Sequence, residues 1–146
     1  PLQVARYVSA LLNGGWLYRP ALILSREKLD PEKIPVEAKV RNMITRTMIK
    51  TVEEPHGTAW RLRTPKATIG GKTGTAQVIK LMEKHEDKDL EEIPYRFRDH
   101  AWMASFGVKG DKRYVVVVMV EHGGHGGSGA GPIVKKIYDF LFSEKE

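Results

Sequence analysis

The densest chemistry in this chain is a short run, Lys72-Thr73-Gly74-Thr75, flanked by Gly70-Gly71 and by Ala76-Gln77-Val78. β-Branched residues alternating with glycine oppose a helix and suit an extended strand. Residues at i and i+2 of a strand share a face, so the hydroxyls of Thr73 and Thr75 can meet one anion together, with the Lys72 ammonium beside them. Gly74 has no Cβ and admits close approach by a ligand or another catalytic element. If the strand lies at a sheet edge, its unpaired N–H and C=O groups can add an extended peptide, and one N–H can serve an oxyanion. The pattern is that of a peptide-carboxylate site. Gly71-Lys72-Thr73 also matches the end of a phosphate-binding P-loop, but lysine stands at position 66 where that motif needs glycine. A helix would also have to begin at Lys72, which the following residues oppose. Nucleotide binding is rejected.

Other reactive residues are read more plainly. Ser25-Arg26-Glu27-Lys28 has the spacing of a serine nucleophile and a lysine base. However, Leu29-Asp30-Pro31-Glu32 cannot continue the buried helix that would desolvate Lys28. His122-Gly123-Gly124-His125 lies on glycines, with no cysteine or paired carboxylate to complete a metal shell, and is read as a turn. Trp102, just after His100, is read as packing, with substrate contact the rival role.

The elements that must position the motif follow from periodicity. Val4, Val8, Leu11 and Leu12 mark one face of a first helix, stopped by Asn13-Gly14-Gly15. Residues 16–24 read as extended and 25–35 as a polar connection. Pro35 opens a second helix with Val36, Val40, Met43, Ile44 and Met48 on its inner face, ending near Glu53-Glu54. Strands are expected at 67–79, 101–108 and 113–121, separated by a charged surface insertion at 80–98 and a turn at 109–112. The third strand is apolar on both faces and is expected to lie centrally, covered on both sides. A glycine-rich loop at 122–131 leads into a last helix with Ile133, Ile137, Tyr138 and Leu141 inward. The fold class is therefore α+β, an antiparallel sheet of at least three strands packed with helices.

Bulk properties bound these readings. The 146 residues suit one domain or a piece of one. The longest apolar run, 114–120, is strand-length, so nothing here is long enough to cross a membrane. Absence of cysteine excludes disulfides and thiolate chemistry. The net charge of +6 favours anionic surfaces. The basic residues are scattered, with Arg61, Arg63 and Lys66 the densest group, and are read as solvated surface; a basic module binding nucleic acid or another polyanion is the alternative.

The extended motif Lys72-Thr73-Gly74-Thr75-Ala76-Gln77 resembles the third motif of the penicillin-binding protein and serine β-lactamase superfamily, in the form typical of class B penicillin-binding proteins. Pro1-Leu2-Gln3 before a helix, Gly57-Thr58-Ala59, Asp99-His100-Ala101-Trp102 and Gly129-Ala130-Gly131-Pro132 look like that class too, most like the elongation-specific penicillin-binding protein 2 group. The resemblance covers nearly the whole of 1–146 and implies the C-terminal segment of a transpeptidase domain. It implies that Lys72 holds positive potential and hydrogen-bonds the serine of a second motif. Thr73 and Thr75, with Gln77, would bind the carboxylate end of a D-Ala-D-Ala stem peptide or a β-lactam, and the Thr75 N–H would form half an oxyanion hole. Lys72, Thr73, Gly74 and Thr75 are then the catalytic strand. No cofactor or metal is expected, and no nucleic acid. The partners implied are the rest of the domain and membrane proteins of the elongation machinery. The parent would be anchored in the cytoplasmic membrane with this domain on the outer side. A nucleophilic serine and an S-x-N motif are missing from these residues, so the segment alone is expected to be inactive and, having apolar surface uncovered, to self-associate.

Overall fold

A computed structural model of the chain describes residues 1–21, 23, 30–78 and 90–143. Helix α1 (Leu2–Leu12) buries Val8 and Ala10 and stops where Gly14 turns left-handed at φ +90°. Strand β1 (Trp16–Leu17), in the segment expected to be extended, pairs antiparallel with β2 (Glu32–Lys33), which the sequence suggested was only part of a polar connection. Asn13 stitches the turn between α1 and β1, its side chain bonding both the N–H and the C=O of Trp16 at 2.8 Å. Ser25 and Lys28 lie outside the described residues.

Helix α2 (Ala38–Glu53) begins after Pro35 and Val36 and buries Met48 and Val52. Ile44 and Ile49 pack partly against the core, whereas Val40 and Met43, expected inward, are 37% and 61% exposed. The fully buried residues of α2 fall in its second half, and apolar periodicity cannot say where along a helix its neighbour ends.

Strands β3 (Thr68–Ala76), β4 (His100–Lys109) and β5 (Lys112–Val120) form an antiparallel sheet in the order β3-β4-β5. The expectation of a central β5 is corrected: β4 is central, and β5 is outermost among the described residues. Val115 packs with the α1 side and Val116 with the α3 side, so β5 is apolar on both faces without having a strand on both edges. The two properties are independent, since faces are covered by helices and edges by backbone. Of the expected insertion at 80–98, residues 80–89 lie outside the described residues, as does Ile79 at the end of the expected strand. Leu90–Glu92 and Tyr95–Phe97 form two short 3₁₀ turns leading into β4.

Cross-strand partners place their side chains on a common face. Ile69, Gly71, Thr73 and Thr75 pair with Gly107, Ser105, Met103 and Ala101, and the last three pair in turn with Val116, Val118 and Val120. This face lies under α3 (Gly131–Leu141), which opens with Pro132 and buries Val134 and Tyr138, with Phe142 just beyond. Ile133, expected inward, is 42% exposed and Val134 takes its place. On the opposite face, Phe106 packs against Val8 of α1 and Met48 of α2.

The buried polar group on the α3 face is satisfied internally. Ser105 Oγ donates to the Val116 carbonyl at 2.7 Å and lies 3.0 Å from Tyr138 Oη. Burial raises the Tyr138 pKa far above the usual phenol range, so the ring stays neutral at any physiological pH. Tyr138→Phe leaves the Ser105–Val116 bond in place and is expected to cost about 1 kcal/mol, measured by urea denaturation with an unchanged slope.

Candidate functional site

The site is the outer edge of β3. In an antiparallel strand, one residue's N–H and C=O both face the partner strand and the next residue's both face away. The Gly71 carbonyl accepts a 2.5 Å bond from Thr51 Oγ1 of α2, so the groups of Gly71 point away from β4. By alternation, so do those of Thr73 and Thr75. The Lys72 ammonium confirms the direction, since it curls over the edge to donate to the Thr73 carbonyl. Helix α2 thus covers the first half of the edge, and among the described residues no α-helix lies against the half from Thr73 onward.

The side chains divide as an extended strand requires. Thr73 and Thr75 share the α3 face, Thr73 half-buried and Thr75 exposed, while Lys72 and Gly74 belong to the opposite face with Ala104 and Trp102. Lys72 is exposed, as is Gln77 just past the strand end. The motif residues foreseen from sequence therefore come together on one strand edge. Trp102, half-buried, lies on the face away from the two threonine hydroxyls.

The loop after β5 closes over this strand. Residues Gly126–Ala130 make one wide helical turn that runs directly into α3, where the sequence suggested a glycine-rich loop. Gly126 lies so near the sheet that a Cβ there would sit 2.1 Å from the Trp102 carbonyl oxygen and 2.9 Å from the Gly74 nitrogen. The glycines here allow backbone to pack on backbone.

At the far end of β3, two histidines form a clasp. The His122 N–H donates to His100 Nδ1 at 2.9 Å, and His122 Nδ1 donates to the Arg98 carbonyl at 2.9 Å. Asp99 receives the Gly124 N–H on its carbonyl at 2.8 Å and the Val78 N–H on its carboxylate at 3.2 Å. The backbone leaving β3 is held to the start of β4. Among the described residues there is no cluster of three or more side chains suited to a metal.

Sequence reasoning passed over Thr51, Arg63 and Gly126. Arg63 sits in the densest basic group, yet its guanidinium donates to the Val52, Glu53 and Glu54 carbonyls at 2.6 Å each and caps the end of α2. Lys66 reaches the Asp139 carbonyl at 3.4 Å, and Arg61 lies over the Trp60 ring, 4.7 Å from its centroid. The partners of Arg63 and Lys66 are backbone carbonyls, and composition carries no signal for them.

Residues 1–139 match the family described as penicillin binding protein transpeptidase domain. The peptidoglycan D,D-transpeptidase MrdA of Salmonella typhimurium is 29% identical over 154 residues, covering 97% of this chain and 25% of that protein. The chain thus spans about a quarter of the length of that curated relative. Among solved structures, penicillin-binding protein 2 of Pseudomonas aeruginosa in complex with WCK 5153 superposes with a TM-score of 0.75 at 29% identity, over 99% of this chain and 30% of that one. The Helicobacter pylori penicillin-binding protein 2, solved in complex with MreC, gives 0.73 at 29% identity, over 98% of this chain and 25% of that one.

The close contact at Gly126 yields a direct test. Gly126→Ala must push the turn off Gly74 and Trp102 and is expected to lower stability by about 1–3 kcal/mol, read as a fall in the thermal unfolding midpoint.

Proposed function

Because the chain belongs to the penicillin-binding protein transpeptidase family, we propose that it forms the C-terminal part of a peptidoglycan D,D-transpeptidase domain and supplies its substrate-binding strand. The observation that carries this reading is the half-covered edge of β3. Two threonine hydroxyls and an ammonium lie at a strand edge whose N–H and C=O groups face outward.

On this reading an extended stem peptide adds alongside β3, and its terminal carboxylate meets the hydroxyls of Thr73 and Thr75. Gln77, exposed beyond the strand end, extends the binding edge. Lys72 keeps the groove positive and is within reach of a serine supplied by another part of the protein. The nucleophilic serine, also supplied from elsewhere, attacks the penultimate D-alanine carbonyl. The Thr75 N–H then shares the negative charge that develops on oxygen, a donor typically worth about 3–4 kcal/mol in the transition state. The bond to the terminal D-alanine breaks, that residue leaves as an amine, and the acyl group passes to the amine of a second stem peptide. β-Lactams, which carry a carboxylate near a reactive amide, would enter the same groove.

These 146 residues alone are then inactive, having the carboxylate site and half an oxyanion hole but no partner for either. Leu2 and Tyr7, each 59% exposed, and Met43, 61% exposed, are apolar surface for the rest of the domain to cover, or for a second copy when the segment is isolated. No helix among the described residues is long and apolar enough to cross a membrane; anchoring, with this domain on the outer side, is assigned to the parent. The MreC complex of the Helicobacter pylori relative supports elongation-machinery proteins as partners. The polyanion-binding alternative gains little from the basic group, because Arg63 and Lys66, though exposed, donate to backbone carbonyls.

A fluorescent penicillin is expected to label the full-length protein at a serine outside this segment, and Lys72→Ala to abolish the labelling. Undiminished labelling of that variant in a gel assay refutes the role given to Lys72.

A further inference from the structure

Thr58 lies off the strand, exposed on the turn that follows α2, yet it is the hydrogen-bond partner of the central hydroxyl of the site. Thr73 Oγ1 donates to Thr58 Oγ1 at 3.2 Å. The turn that carries Thr58 is held from several sides. The Ala59 N–H donates to the Thr51 carbonyl and the Gly57 N–H to the Glu54 carbonyl, both at 3.0 Å. Ala59 itself is buried with Val52 and Leu62. Arg63, a few residues on, locks the same helix end. Across the groove, Gly127 approaches both partners: a Cβ there would lie 2.7 Å from the Thr58 carbonyl oxygen and 3.7 Å from Thr73 Cγ2. The two hydroxyls are therefore set against each other by three separate segments.

A hydroxyl has one proton and two lone pairs, and a carboxylate only accepts. With its proton on Thr58, Thr73 shows an incoming carboxylate nothing but lone pairs. We propose that Thr58 is a positioning residue of the carboxylate site, whose hydroxyl takes over as donor to Thr73 Oγ1 when a carboxylate-terminated acyl donor binds. The Thr73 proton is thereby turned to the ligand. Each hydroxyl keeps one proton, and none is lost or gained. In the resulting chain, Thr58 to Thr73 to carboxylate, each bond polarises the next and strengthens the one at the ligand. The inference rests on the reading of Thr73 as a carboxylate ligand given above.

The test uses the full-length protein with a penicillin and its carboxyl methyl ester, measuring initial non-covalent affinity and acylation rate separately. Thr58→Val, equal in size but without the hydroxyl, is expected to weaken initial binding of the free acid by about five-fold. It is expected to leave the acylation rate constant and the ester's affinity within about two-fold. Thr58→Ser is expected to restore binding of the acid. Equal losses for acid and ester would mark Thr58 as merely structural and overturn the proposal, as would unchanged affinity for the acid. Thr73→Val separates the two levels. If it weakens acid binding while Thr58→Val does not, only the hydroxyl chain fails; if Thr73→Val has no effect, the carboxylate reading of β3 fails and the proposal with it.

Discussion

An antiparallel strand at the edge of a sheet must turn the N–H and C=O of every second residue away from its only strand partner. Those groups have to be met by something, because leaving them dry and unpaired costs about as much as a lost hydrogen bond. In β3 the requirement is answered in two ways along one strand. Near Gly71, helix α2 lies against the edge and Thr51 supplies a donor to the carbonyl. From Thr73 onward no α-helix among the described residues lies against the edge, and the Lys72 ammonium bends round to the Thr73 carbonyl. The boundary falls inside the motif itself, and Arg63 secures it by fixing the last carbonyls of α2 in place.

Orientation of the motif depends on how the two faces of the sheet are filled. Tyr138 and Ser105 anchor α3 to the face that carries the threonines, and Phe106 anchors α1 and α2 to the face that carries Lys72. A one-residue slip of β3 against β4 would exchange these faces, bringing Lys72 under α3 and turning both hydroxyls toward α1 and α2. The core thus holds the chemistry in register. The turn at Gly126–Ala130 adds a lid of backbone over Gly74, close enough that only glycine fits at its start.

Several expectations drawn from residues alone hold in the structure, and the departures have a common physical origin. The strand at the motif, the meander that follows it, the helix stop at Gly14 and the α+β class rest on local periodicity and turn chemistry, which act over a few residues. Val40, Met43 and Ile133 were placed inward by the same periodicity and are exposed, because amphipathic spacing reports a face but not the extent of what packs on it. The apolar run in β5 was equated with a central position, although helices on both faces suffice to cover it.

The sequence by itself determined that residues 72–75 run as a strand with two hydroxyls on one side and an ammonium on the other, since alternation along an extended chain admits no other arrangement. It also carried the family resemblance through motifs spread along nearly its whole length. Tertiary structure alone decided which edge of that strand stays open, that Thr58 meets Thr73, and that Arg63 caps a helix end. Each of these depends on groups brought together from separate segments of the chain. No pattern of side chains along the chain could have announced them.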